Sequence, residues 1–245
     1  MAERYVLIDG IRGFALINMI LFHAIWDLVY LYGFDWAWYL GLPGTLWQQA
    51  ICWTFILVSG FCVPFSSHPV QRGVEISLAG LAVTFVTLVV MPQALIIFGV
   101  LTCIGASMIV IGLLQPYLKK ARKAPLLAAL LCFVLFMLCR PLAQGYLGLG
   151  SWQWVTLSPS LYDNLFTAFW GLPPQHFFSA DYFPFFPWFF LFVTGYFLCC
   201  WLASKEKLNL FARGHCRFLE WMGRHSLWIY LLHQSVITVL FAMIF

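Results

Sequence analysis

The sequence predicts an all-α fold: a polytopic transmembrane helical bundle of about seven spans, with its N-terminus in the cytoplasm and one integral domain over residues 1–245. Three observations predict it. Hydrophobic residues fill 63% of the 245 positions and charged residues only 9%, whereas about a quarter of a soluble domain is charged. The mean hydropathy is +0.89, and apolar runs of roughly 20 residues recur between Pro, Gly or charged breaks. Twelve of the thirteen Lys and Arg residues fall in segments that alternate to one side, Arg140 being the exception, which is the positive-inside pattern. The net charge of +4 therefore describes an inner basic surface facing lipid headgroups. It excludes a nucleic-acid binder and places the chain in the plasma membrane as a multi-pass protein.

The runs lie near residues 11–31, 46–65, 76–91, 95–114, 124–139, 183–203 and 226–245. The third and fifth are short for a full crossing, so their flanks are expected to extend them or the chain to tilt or re-enter. The first run is too long for a cleavable signal and has no small-residue cleavage site after it, so it stays as span one. The eight cysteines lie in or beside spans without metal-ligand spacing, which argues for buried thiols and against a disulfide framework or a metal site. The inner run Lys119-Lys120-Ala121-Arg122-Lys123 reads as a topology determinant, with a mouth for a polyanionic cosubstrate as the sharper reading. The outer connection, residues 140–182, is long enough to hold structure of its own. Within it residues 161–170 have helical spacing, and its aromatic residues suit either an interfacial belt or a lid.

Ionisable groups inside spans are costly and default to a functional hypothesis. His23 and Asp27 stand one turn apart in span one, so they share a helix face, with His23 roughly 18 Å in from the inner boundary. A carboxylate at that spacing is expected to hold the imidazole in register and stabilise its charged form. Asp9 suits an N-cap or first-turn acid, and Arg12 suits either a headgroup anchor or a phosphate contact. In the last span Ser226 is a predicted N-cap. His233 and Gln234 are consecutive polar residues that cannot both face lipid cheaply. Asp181, before Pro184 and Pro187, caps the sixth span or serves a mouth on the same outer side as Asp27. Residues of this kind at the midplane suit acyl transfer; the alternative is a transporter or flippase that relays protons or binds substrate there, which inverted repeats and paired broken helices would favour.

Arg12-Gly13-Phe14-Ala15 followed by His23 resembles the first-helix motif of the transmembrane acyltransferase superfamily. Phe55-Ile56-Leu57-Val58-Ser59-Gly60, Phe98-Gly99-Val100-Leu101, Asp181-Tyr182-Phe183-Pro184 and Gly223-Arg224-His225-Ser226 through His233 are similar, in the same order, to bacterial heparan-α-glucosaminide N-acetyltransferase-like proteins. The resemblance implies an integral membrane O- or N-acyltransferase that takes an acyl group, commonly acetyl, from cytoplasmic acyl-CoA and delivers it to an extracytoplasmic glycan or similar acceptor. In it the family's membrane-embedded histidine corresponds to His23 and its motif arginine to Arg12. Together with the intramembrane polar residues this gives the expected site: His23 and Asp27 in catalysis, Arg12 and Arg224 on the CoA phosphates, and Asp181 and His233 on the acceptor, with acyl-CoA as cosubstrate and no metal. There is one departure. The eukaryotic lysosomal enzyme carries its catalytic histidine in the loop after the first conserved helix, and residues 31–45 contain none, so the glucosaminide specificity is not implied.

The charge pattern predicts that residues 66–75, 115–124 and 204–225 face the cytoplasm. In a cysteine-free background, Ala121→Cys is expected to resist an impermeant thiol reagent in intact cells and to react after permeabilisation. Reaction in intact cells would reverse the orientation.

Overall fold

The computed structural model describes residues 5–119, 121–212 and 216–245. In chain order the helices are α1 (Val6–Tyr30), α2 (Ala37–Leu40), α3 (Leu42–Cys62), α4 (Pro69–Val90), α5 (Val100–Leu114), α6 (Pro125–Cys139), α7 (Leu165–Trp170), α8 (Phe185–Ser204), α9 (Arg217–Arg224) and α10 (Ser226–Ile244). Among the described residues, one antiparallel hairpin, β1 (Tyr146–Leu149) with β2 (Trp152–Thr156), interrupts an otherwise all-α polytopic bundle. Among the described residues, six helical stretches are long and apolar enough to cross a membrane, and Val100–Leu114 is a shorter apolar helix.

The two runs that look short in the sequence are both extended by their flanks. α4 starts at Pro69, seven residues before the apolar run, with proline in its first turn; α6 continues as a 3₁₀ turn to Gln144. The fourth run shortens instead. Residues 95–98 are non-helical because the chain between α7 and α8 takes up their backbone groups: Ala180 N–H donates to Leu95 C=O at 2.9 Å and Phe183 N–H to Phe98 C=O at 2.8 Å. The Ser179 hydroxyl accepts from Ile97 N–H at 3.0 Å. Phe98 sits at φ 55°, a left-handed conformation that costs a bulky residue energy. Its ring is held between Phe169 and Phe177.

The chain divides into two compact units, residues 1–58 with 205–245, and residues 59–204. In the first unit, Arg12, Leu16, Met19, His23 and Asp27 recur every three or four residues and form one stripe of α1. Leu16 and Met19 pack with Ile51 of α3 and Met222 of α9, with Ile229 and Tyr230 of α10 against them. The Trp47 indole donates to the Asn18 side chain at 3.0 Å, and the Tyr39 hydroxyl to Phe22 C=O at 3.1 Å, tying α3 and α2 to α1. α9 runs antiparallel to α1 at backbone contact: a Cβ on Gly13 would lie 1.9 Å from Leu219 C=O, and one on Gly223 would lie 1.8 Å from Asp9 C=O. Only glycine permits that approach.

α10 turns back and runs parallel to α1, as successive pairs show: His23 with His233, Asp27 with Gln234, Tyr32 with Phe241.

In the second unit α4 and α5 meet through small residues in the same way, an added Cβ on Gly73 falling 2.8 Å from Gly105 C=O. α6 packs on α8, with the Phe136 and Trp188 rings 5.5 Å apart. The long connection between α6 and α8 holds the hairpin and α7. Helical spacing over residues 161–170 materialises only as Leu165–Trp170, because Asn164 stops it with a capping box closed by Thr167.

Gly13→Val is expected to lower the melting temperature sharply, since a backbone carbonyl cannot move aside as a side chain can. The loss should reach or exceed the top of the ~1–3 kcal/mol typical of overpacking. Gly10, on the same helix with nothing within 4 Å of an added Cβ, is the control, and Gly10→Val should melt like the parent. Equal melting of the two variants in detergent would contradict the crossing.

Candidate active site

α1 and α10 bring four polar side chains together on their facing sides. The rings of His23 and His233 stand 4.9 Å apart, centroid to centroid, tilted by 59°. One turn further along α1, Asp27 is completely buried. Both its carboxylate oxygens accept from the Gln234 amide nitrogen, at 2.9 and 3.1 Å. The expected hydrogen bond between His23 and Asp27 is not formed. Sharing a helix face does not make two side chains bond: the imidazole turns to His233, and the short carboxylate takes the N–H donors offered by the opposite helix. Both consecutive polar residues of α10 thus face the bundle.

The hydrogen bonds set the polarity of this cluster. His233 Nδ1 contacts Tyr230 C=O, and a carbonyl only accepts, so Nδ1 carries the hydrogen and in the neutral ring Nε2 keeps the lone pair. His233 Nε2 and Gln234 Oε1 are buried without a hydrogen-bond partner. Such atoms cost about 1–3 kcal/mol each when left unpaired, so each calls for a partner such as a water, an ion or a bound ligand.

At the start of α1, Arg12 spans the glycine crossing. It lies 3.7 Å from Asp9 Oδ1, one turn back, and donates to Gly223 C=O at 3.4 Å. Gly223 is in the last turn of α9, where orphan carbonyls and the helix dipole favour a cation. Arg12 therefore closes the end of α9. Arg224, the next residue along, is exposed and bonds back to Glu220 C=O at 3.2 Å. Ser226 does not cap α10: it is the first helical residue, and His225 before it makes no side-chain cap. His225 instead turns its ring to Trp221 C=O, 2.9 Å away.

The family model for the heparan-alpha-glucosaminide N-acetyltransferase catalytic domain matches residues 4–235. The chain belongs to this family. No curated protein and no solved structure matches it. The matched segment contains His23, Asp27, His233 and Gln234, and it makes the chain an acetyltransferase-type membrane enzyme.

Two other residue groups singled out in this acetyltransferase family member lie in the second unit. Asp181 sits in the turn that binds residues 95–98, with an Oδ2 oxygen 3.4 Å from where a Gly99 Cβ would be. The neighbouring Tyr182 hydroxyl donates to Ala168 C=O, and burial holds its phenol well above the ordinary range, so it remains a donor. In the basic loop between α5 and α6, Arg122 donates through Nε to the Tyr196 hydroxyl at 2.9 Å and through Nη2 to the same oxygen. The guanidinium also lies over that ring. Arg122 is thus tied to a buried phenol in addition to its place in the basic loop; Lys120 lies outside the described residues.

Sequence reasoning missed the Asp27–Gln234 bond and the His23–His233 pair. The signal was the adjacency of two polar residues in an apolar span; no spacing rule names their partners. Arg12→Ala should lower stability by about 1–2 kcal/mol through the loss of its helix-end contact, with Arg12→Lys recovering part. An unchanged melting temperature for Arg12→Ala would leave the guanidinium with no part in holding α9.

Proposed function

We propose that the protein moves an acyl group, acetyl in the first instance, from acyl-CoA at the cytoplasmic face to a sugar or related acceptor at the outer side of the plasma membrane, with His23 as catalytic base. The observation that carries this reading is the pair of imidazoles at the α1–α10 contact. Neither ring nitrogen of His23 is hydrogen-bonded to any described residue, and His233 beside it has a fixed tautomer. A base must have its lone pair open to the proton it takes, and His23 meets that requirement.

In the proposed reaction the acceptor oxygen or nitrogen attacks the thioester carbonyl while His23 takes its proton. A C–O or C–N bond forms, the C–S bond breaks, and the proton passes from the imidazolium to the departing CoA sulfur. An acyl-histidine intermediate would divide the same bond changes into two half-reactions. Arg224, exposed at the end of α9 with Arg12 behind it, is assigned to the CoA phosphates. Asp181 is assigned to acceptor recognition.

The direction of α10 supports seven crossings, and the distribution of the basic residues supports an N-terminus inside. Two spanning helices that run the same way, as α1 and α10 do, require an odd number of crossings from first to last. The six long helices make an even number, and Val100–Leu114, roughly 22 Å long at 1.5 Å per residue, supplies the odd one. Every inner connection then carries the basic residues.

Purified protein incubated with radiolabelled acetyl-CoA and glucosamine, alongside a mixture of neutral sugars, tests the reading. His23→Ala should lower transfer by about 100-fold or more, while the protein stays monodisperse, melts as the parent does and still binds CoA. Normal specific activity in well-folded His23→Ala would remove His23 from the mechanism.

A further inference from the structure

The α1–α10 contact leaves two hydrogen-bond acceptors, adjacent in the chain, without donors: His233 Nε2 and Gln234 Oε1. Neither orientation is free to reverse. His233 is held by a carbonyl that only accepts. Gln234 presents its amide nitrogen to both oxygens of a carboxylate with no exposed surface; with Asp27 ionised, rotating the amide would set its carbonyl oxygen against that carboxylate. Asp27 therefore determines that the atom Gln234 turns away from α1 is an acceptor.

We propose that Gln234 is a specificity-determining residue of the transfer site: its Oε1 receives a hydrogen bond from an N–H or O–H of the substrate that lies against the histidine pair. Asp27 is the positioning residue that locks the amide in this sense. The inference rests on the acyltransferase reading and deepens it. It gives Asp27 a role through Gln234 in place of the role through His23 that its spacing implies. Two chemical sources offer such a donor: an amide N–H of the pantetheine arm of acyl-CoA, and a hydroxyl or amine of the acceptor. A site built around a buried acceptor discriminates strongly against a partner lacking the donor, because the acceptor is then left unpaired.

Steady-state kinetics with acetyl-CoA and glucosamine, each varied at saturating levels of the other, test this in the full-length protein. Gln234→Met keeps the length of the side chain and removes the acceptor. A rise of about tenfold in one KM is expected, the scale of one lost hydrogen bond, with the other KM within about twofold. A rise confined to acetyl-CoA assigns the donor to the pantetheine arm, and one confined to glucosamine assigns it to the acceptor. Asp27→Asn, near-isosteric, lets the Gln234 amide bond in either sense and should raise the same KM. The double variant should be no worse than Gln234→Met alone. Should Gln234→Met fail to give monodisperse protein, Asp27→Asn carries the test by itself. Unmoved KM values in folded variants that turn over would overturn the inference, and so would additive effects in the double variant, while leaving the acyltransferase reading standing. Absence of transfer by the parent protein with every sugar tried would overturn that reading and this inference with it.

Discussion

A carboxylate with no exposed surface in an apolar helix pair must find hydrogen-bond donors or be neutralised, because an isolated charge there is too costly to keep. Asp27 finds them on Gln234, and that one contact sets much of the first unit. It fixes the axial register of α10 along α1, and the helix geometry then places His233, one residue earlier, beside His23, one turn earlier. A slip of α10 by one turn would leave the carboxylate unpaired and move the two imidazoles apart. The polar rung and the candidate reactive pair are therefore one arrangement.

Below this rung the constraint is contact between backbones. Gly13 and Gly223 let α1 and α9 approach until carbonyl meets α-carbon, a mode of association suited to a bilayer, where burying apolar side chains against each other gains little over lipid. Arg12 adds a cation at the end of α9. Arg12, Gly13 and Gly223, from two of the motifs that carry the family likeness, thus hold the α9–α10 hairpin against α1, and His23 on the same stripe of α1 is left open. The packing residues and the candidate site residues share one helix face because the face that packs is also the face shielded from lipid.

The second unit shows the opposite economy of regular structure. Residues 95–98 forgo helix and give their backbone groups to residues 179–183, and Phe98 accepts a left-handed conformation between two aromatic rings. Non-helical backbone at the end of a short apolar helix is tolerated only where another segment satisfies its polar groups, and the Ser179 hydroxyl and its neighbours do so.

Much of this was legible in the sequence. Hydropathy was sufficient for an all-α membrane bundle, because crossing lipid imposes length and apolar content on the chain directly. His23, Asp27 and His233 stood out since each is an ionisable group where such groups are rare. The motif order was enough to indicate the family before any geometry. What the residues by themselves did not decide was pairing. Spacing along one helix put Asp27 with His23, whereas the fold put Asp27 with Gln234 and His23 with His233. It likewise turned Arg12 to the end of α9, Ser226 into a helical residue and Arg122 to a buried phenol. The physical reason is that periodicity reports which face of a helix a side chain occupies, while its partner is chosen by the helix packed against that face. That choice depends on crossing geometry and register set by distant residues, more than 200 positions away for Arg12, His23 and Asp27.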